Sequence, residues 1–207
     1  MPKSDDIEIL LLRSGRTAWD EASRVQGQTD LPMTEAGRAE VAAVIRDLLA
    51  AGARPALVHA SQDEAASETA RMLAQEAGAR LRLEPDLATC HLGLWEGLLE
   101  DEIAERFPSA CKQWQDQPSC IHPPEGEPFE AASQRIRLAL ARALDRAGDR
   151  PTAFVLRPLP YALAICWLTG RPTKDIWTVI KDGPFSSRLR FTAAELRRVI
   201  DEASVRV

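Results

Sequence analysis

The chain has 207 residues, enough for one domain, and its 45% hydrophobic and 28% charged residues are the ordinary balance of a globular protein. A net charge of −5 argues against a general binder of nucleic acid or anionic membranes, and no run is long and apolar enough to span a bilayer. The polar, acidic start MPKSDDIEIL does not read as a secretory signal, so a cytoplasmic location is expected. Four cysteines, Cys90, Cys111, Cys120 and Cys166, lack any CxxC spacing, and only three histidines exist. No zinc site and no cofactor are expected. The thiols are expected to be reduced, with a Cys111–Cys120 bridge as the minority reading.

The elements alternate from the start. The apolar run Ile7–Leu12 predicts a strand, which breaks at Arg13-Ser14-Gly15. Thr34 reads as the N-cap of a helix over Glu35–Ala51, with Val41, Val44, Ile45, Leu48 and Leu49 at helical spacing and Gly52 beyond it. A strand over Pro55–Ala60, a helix over Gln62–Ala77 and a strand over Arg80–Leu83 follow. The order then loosens. Leu87–Gly97 reads as a loop, Glu100–Phe107 as a helix and Pro108–Pro128 as an irregular excursion. Phe129–Ala147 predicts a strong helix, Thr152–Leu156 a strand, Pro160–Leu168 and Lys174–Ile180 helices, and Ser186–Phe191 an edge strand. A capping box at Thr192–Glu195 predicts a final helix. This alternation implies one domain over residues 1–207, three layers α/β/α, with a mostly parallel sheet and helices on both faces.

A basic residue and a glycine just past a buried strand suit an anion site at a sheet edge. The segment Arg13-Ser14-Gly15-Arg16-Thr17, with Asp20, Gln26-Gly27, Pro32-Met33-Thr34 and Gly37, resembles the first motif of the histidine phosphatase superfamily, the phosphoglycerate mutase-like proteins. The resemblance continues at Ser61, Ala66, Thr69 and Ala70, at Gly93-Leu94-Trp95-Glu96-Gly97, and at Pro124–Glu127 with Arg135. It is weakest at Phe154–Pro160, at the end of a strand before an apolar helix. It would also allow a strand in the C-terminal tail.

The resemblance implies four catalytic positions, and this chain differs at each. Ser14 stands where the family has its nucleophilic histidine and Ala65 where it has a phosphate-gripping arginine. Thr89 stands at the general-acid glutamate and Arg157 at the second histidine. A threonine hydroxyl hydrogen-bonds but is no acid near neutral pH. A serine phosphate ester is harder to hydrolyse than the P–N bond of a phosphohistidine. Glu96 and Arg135 are expected to be structural. His91 is expected to be a loop residue rather than a rescuing base, and His59 and His122 lie off the motifs.

These substitutions lean towards a protein that no longer catalyses, a pseudophosphatase binding a phosphorylated small molecule or a protein partner. Arg13, Ser14, Arg16, Gln26 and Arg157 would form its ligand site, with Arg13, Arg16 and Arg157 placing three guanidinium groups around one pocket. The opposing expectation sets Arg16 and Arg157 against solvent or carboxylates such as Asp20. Two alternatives stand beside the main reading. One is an active phosphatase or mutase-like enzyme with an altered route, using Ser14 as nucleophile or His91. The other is an interaction subunit with an empty pocket. The oligomeric state is not legible.

Overall fold

The computed structural model describes residues 6–116 and 121–205. Five strands form one mixed sheet: β1 (Ile7–Arg13), β2 (Leu57–Ala60), β3 (Arg80–Leu83), β4 (Thr152–Leu156) and β5 (Ser186–Phe191). Their spatial order is β3-β2-β4-β1-β5; β1, β2, β3 and β4 run parallel and β5 closes one edge antiparallel to β1. Both edge strands carry alternating arginines, Arg80 and Arg82 on β3 and Arg188 and Arg190 on β5.

Strand alternation divides the interior into two cores. Ile9 and Leu11 of β1 face one way, into the larger cluster; Leu10 and Leu12 face the other. All four are at most 1% exposed, and burying each contributes roughly 1.5–3 kcal/mol. The smaller core is covered by α2 (Glu35–Ala50) and α3 (Glu64–Ala77). The larger is covered by α6 (Phe129–Ala147), α7 (Pro158–Thr169), α8 (Ile176–Asp182) and α9 (Ala193–Val205). A short helix α1 (Ala18–Glu21) follows β1, and α4 (Glu100–Arg106) and α5 (Pro108–Asp116) precede α6. The three-layer α/β architecture is as the sequence predicts.

Two local expectations need comment. The stretch Pro108–Asp116 is a helix, not an irregular excursion. Pro108 stands at its start, where a fixed φ and a missing N–H cost nothing. Cys111 and Trp114 share one side of α5; Trp114 stacks on Trp95 at 4.9 Å and meets Trp177 edge-on at 5.1 Å. The last segment is helical, as the local pattern predicts: Thr192 Oγ1 and the Glu195 carboxylate cap each other's backbone N–H. Cys90, Cys111 and Cys166 are free thiols, and the suggested partner Cys120 lies outside the described residues. Among the described residues no helix is long and apolar enough to cross a membrane.

Candidate functional site

Parallel strands gather their carboxyl ends on one edge of the sheet, where α/β proteins bind ligands. Here β1 delivers Ser14, β4 delivers Arg157 and β2 delivers Ser61. Ser14 is held by its own backbone, whose N–H donates to Leu156 O at 2.8 Å across the β1–β4 step. Gly15 N–H donates to Thr69 Oγ1 at 2.9 Å, tying the same turn to α3. A Cβ at Gly15 would lie 2.0 Å from Met33 Sδ, so any side chain there would have to push Met33 aside.

Thr17 caps α1 and fixes Asp20. The Thr17 N–H donates to Asp20 Oδ2 at 2.8 Å, and the Asp20 N–H returns to Thr17 Oγ1 at 3.3 Å. Arg157 then closes the site. Its Nη1 donates to Asp20 Oδ2 at 3.1 Å and to Ser14 Oγ at 3.3 Å. Its Nη2 donates to Asp20 Oδ1 at 3.0 Å and to Gln26 Oε1 at 2.7 Å. Thr17 Oγ1–H donates to the same Gln26 oxygen at 2.6 Å. Ser14 and Arg157 are 4% and 3% exposed, so this bidentate ion pair is shielded from bulk water. Of Arg157's donors only Nε is buried without a partner.

Above Arg157 lies a cavity of about 360 Å³, bordered by Gln26, Gln28, Thr29, Asp30, Gln62, Asp63 and Thr89. Arg157 forms part of its wall; Ser14 lies behind it and reaches the cavity only through that guanidinium. Ala65 is buried on α3, with its carbonyl accepting from Thr69 Oγ1 at 2.8 Å. Among the described residues no group of three or more His, Cys, Asp or Glu side chains could hold a metal ion.

The surrounding loops are locked by two residues that the sequence reading takes as structural. Glu96 accepts from the N–H groups of Gln28, Thr29 and Leu92 and from the Thr29 hydroxyl. Burial alone would raise its carboxyl, but these donors outweigh burial and hold it below the ordinary glutamate value. Arg135 donates to the carbonyls of Asp86, Ala88 and Thr89 and to Glu127, fixing the loop that carries Thr89.

Not every expected ligand residue is here. Ser14, Gln26 and Arg157 come together; Arg13 and Arg16 do not join them. Arg13 shares a strand face with Ile9 and Leu11, so its guanidinium emerges on the α7–α8 side. There Nη1 donates to Ile180 O at 2.9 Å, Nη2 donates to Val179 O, and the group sits 5.0 Å from the Tyr161 ring centroid. Burial lowers its pKa, against a smaller opposing effect of Tyr161. Arg16 is half-exposed and pairs with Glu40 at 2.9 Å on α2. The pocket therefore holds one guanidinium, not three. No histidine replaces the missing charges. His59 Nδ1 meets Glu84 at 3.2 Å, His91 lies half-exposed 3.9 Å from Glu96, and His122 Nε2 meets Gly126 O at 3.1 Å. Sequence reasoning offered Asp20 only as one possible partner. The capping-box spacing Thr17–Asp20 was the available signal for its fixed position.

The sheet order and this placement define a three-layer α/β protein with a polar cavity at the carboxyl ends of β1, β2 and β4. The chain belongs to the histidine phosphatase superfamily (branch 1), whose model matches residues 9–199. It is 33% identical over 151 residues to a metal-independent phosphoserine phosphatase of Arabidopsis thaliana, a match spanning 72% of this chain and 63% of that protein. It is 32% identical over 179 residues to a glucosyl-3-phosphoglycerate phosphatase of Mycolicibacterium vanbaalenii, covering 83% and 78% of the two chains. A mycobacterial glucosyl-3-phosphoglycerate phosphatase solved with VO3 superposes with a TM-score of 0.72 at 27% identity, covering 82% of this chain and 84% of that one. These relatives overturn the expectation that leans towards a protein without catalysis: they are named as phosphatases, at identities and coverages that make an enzyme the better reading.

Proposed function

We propose that the chain is a phosphomonoesterase acting on a phosphorylated small molecule, by a route that uses no phosphohistidine. The observation that carries this reading is the Arg157 fork. A planar guanidinium in bidentate contact with a carboxylate has the geometry that also grips a phosphate. Asp20 occupies the fork; an incoming phosphate displaces it and brings the phosphorus towards Ser14 Oγ, which already touches the same guanidinium.

In this reading Ser14 Oγ attacks phosphorus and its proton passes to the released Asp20 carboxylate. As the P–O bond breaks, Asp20 passes that proton to the leaving oxygen to give the alcohol; its carboxylate then takes a proton from the water that attacks the phosphoserine ester and returns it to Ser14 Oγ as phosphate leaves. Arg157 offsets the charge that develops on the phosphoryl oxygens. The amides and hydroxyls of Gln28, Gln62, Thr29 and Thr89 around the cavity favour a hydroxylated, uncharged organic body. The names of the phosphatase relatives support the reaction class.

The test is hydrolysis of p-nitrophenyl phosphate by purified protein, with Arg157→Gln and Ser14→Ala prepared in parallel. Turnover above chemical background that disappears in both variants is expected. Turnover equal to background, or turnover indifferent to Arg157→Gln, overturns the proposal. Turnover that survives Ser14→Ala and fails only in Arg157→Gln overturns the serine step and makes water the nucleophile.

A further inference from the structure

A second cavity, about 390 Å³ in volume, lies among the helices that cover the larger core, where α6, the end of α7 and α9 meet. Its lining joins an apolar floor to two cations. Leu140 of α6 and Leu163 of α7 are buried in the larger core, with Trp167 beside them. Arg137 enters from α6, one turn before Leu140, and Arg171 stands just past the left-handed Gly170 that ends α7. Among the described residues Glu202 of α9 is the carboxylate in the wall.

The two guanidinium groups at this cavity are unpartnered among the described residues. Most arginines of the molecule that sit beside acidic residues pair with them, as Arg135, Arg142, Arg146 and Arg188 do. Among the described residues, neither Arg137 nor Arg171 makes a side-chain hydrogen bond or ion pair, and Arg137 Nε is buried without a partner. Glu202 in the wall and Asp175 near Cys166 are the acidic neighbours, yet neither forms an ion pair with Arg137 or Arg171 among the described residues, so both guanidinium groups keep donors free for an acceptor. The Cys166 thiol in the same wall is pushed up to about 11, chiefly by burial, and adds no negative charge at neutral pH. A buried donor with nothing to donate to is costly, and a cavity wall is where a ligand can supply the acceptor.

We propose that this cavity binds a small organic anion with an apolar body, such as an aryl or branched alkyl carboxylate. The apolar part lies on Leu140, Leu163 and Trp167, and the anionic group meets Arg137 and Arg171. A phosphate ion alone satisfies the cations but leaves the floor wet; a neutral aromatic covers the floor but leaves Arg137 unpaired. The site is distinct from the Arg157 cavity, because α7 separates them: Arg157 caps its first turn and Gly170 its last, about 18 Å away at 1.5 Å per residue.

The test titrates the whole protein with 2-naphthoate, 2-naphthamide or inorganic phosphate and follows Tm, which a ligand of the folded state raises. A saturable rise with naphthoate is expected, with a half-saturating concentration at least tenfold below that of naphthamide, while any rise with phosphate, which binding at the Arg157 cavity also supplies, keeps the same midpoint in Arg137→Gln. Arg137→Gln shifts the naphthoate midpoint upward at least fivefold. Ser133→Phe, which fills the cavity from the exposed side of α6, removes the response. Gln62→Trp, which crowds the other cavity, leaves it unchanged. Equal responses to naphthoate and naphthamide, a silent Arg137→Gln, or a response lost in Gln62→Trp each overturn the proposal. None of these outcomes depends on phosphatase turnover.

Discussion

Arg13 and Arg157 stand at the ends of neighbouring strands, in register with adjacent residues of the β1–β4 pair, and they serve opposite halves of the molecule. Arg157 turns into the polar cavity and shares its charge with Asp20, Gln26 and Ser14. Arg13 turns to the far face and holds the last carbonyls of α8. The same side chain at the same sheet edge becomes the anchor of a buried ion pair in one case and a helix cap in the other. The parity of the strand position decides which, since one step along a strand reverses the face.

The comparison breaks most sharply at Arg157. Arg157→Met removes the cation paired with Asp20 and leaves, among the described residues, Thr17 alone as donor to that carboxylate and to the Gln26 carbonyl, so a loss of about 3 kcal/mol in urea unfolding is expected. Adding Asp20→Leu should restore much of that loss, because the pair is removed together; a double variant as unstable as the sum of the single ones would refute the pairing argument. Arg13→Met should cost less, about 2 kcal/mol, through the lost bonds to Val179 and Ile180 and the contact with Tyr161. Its phosphate affinity, measured by calorimetry, should stay within twofold of the parent. A tenfold weakening would return Arg13 to the ligand site.

The smallest effect comes from a third buried cation-capable side chain, which gives up its charge where the arginines keep theirs. His59 is 1% exposed and stacks on Phe154 at 5.3 Å. Burial lowers its pKa, against the opposing pull of Glu84. A depressed histidine binds its proton more readily in the unfolded chain, so folding loses stability as pH falls below the unfolded value near 6.5. His59→Phe should flatten the slope of Tm between about pH 6.5 and 5 while leaving Tm at pH 8 within a few degrees. An unchanged slope would place the titration on another group.

Local pattern made most of the fold legible. The apolar IEILLL run, the helical spacing after Thr34 and the Thr192–Glu195 capping box are all short-range signals, and each became the expected element. The α5 helix escaped because its apolar side is narrow and is completed by Trp95 and Trp177, which lie far away in the chain. In the site, Ser14, Gln26 and Arg157 were legible through motif position. The ion pair that gives the site its electrostatics joins Asp20 to a residue 137 positions later, which no local pattern encodes. The misreading of Arg13 had a different origin. The alternation Ile9, Leu11, Arg13 was in the sequence, but its meaning depends on knowing that α8 covers that face.

The open edges of the sheet bear on how copies of this chain meet one another. Both outermost strands end in unpaired backbone groups, and both present arginines at alternate positions, Arg80 and Arg82 on one side and Arg188 and Arg190 on the other. Two copies meeting at β3 would bring Arg80 and Arg82 against one another, whereas at β5 Glu8 tempers Arg188 and Arg190. The β3 edge thus carries its own charge-based obstacle to being extended by a strand of the same sequence.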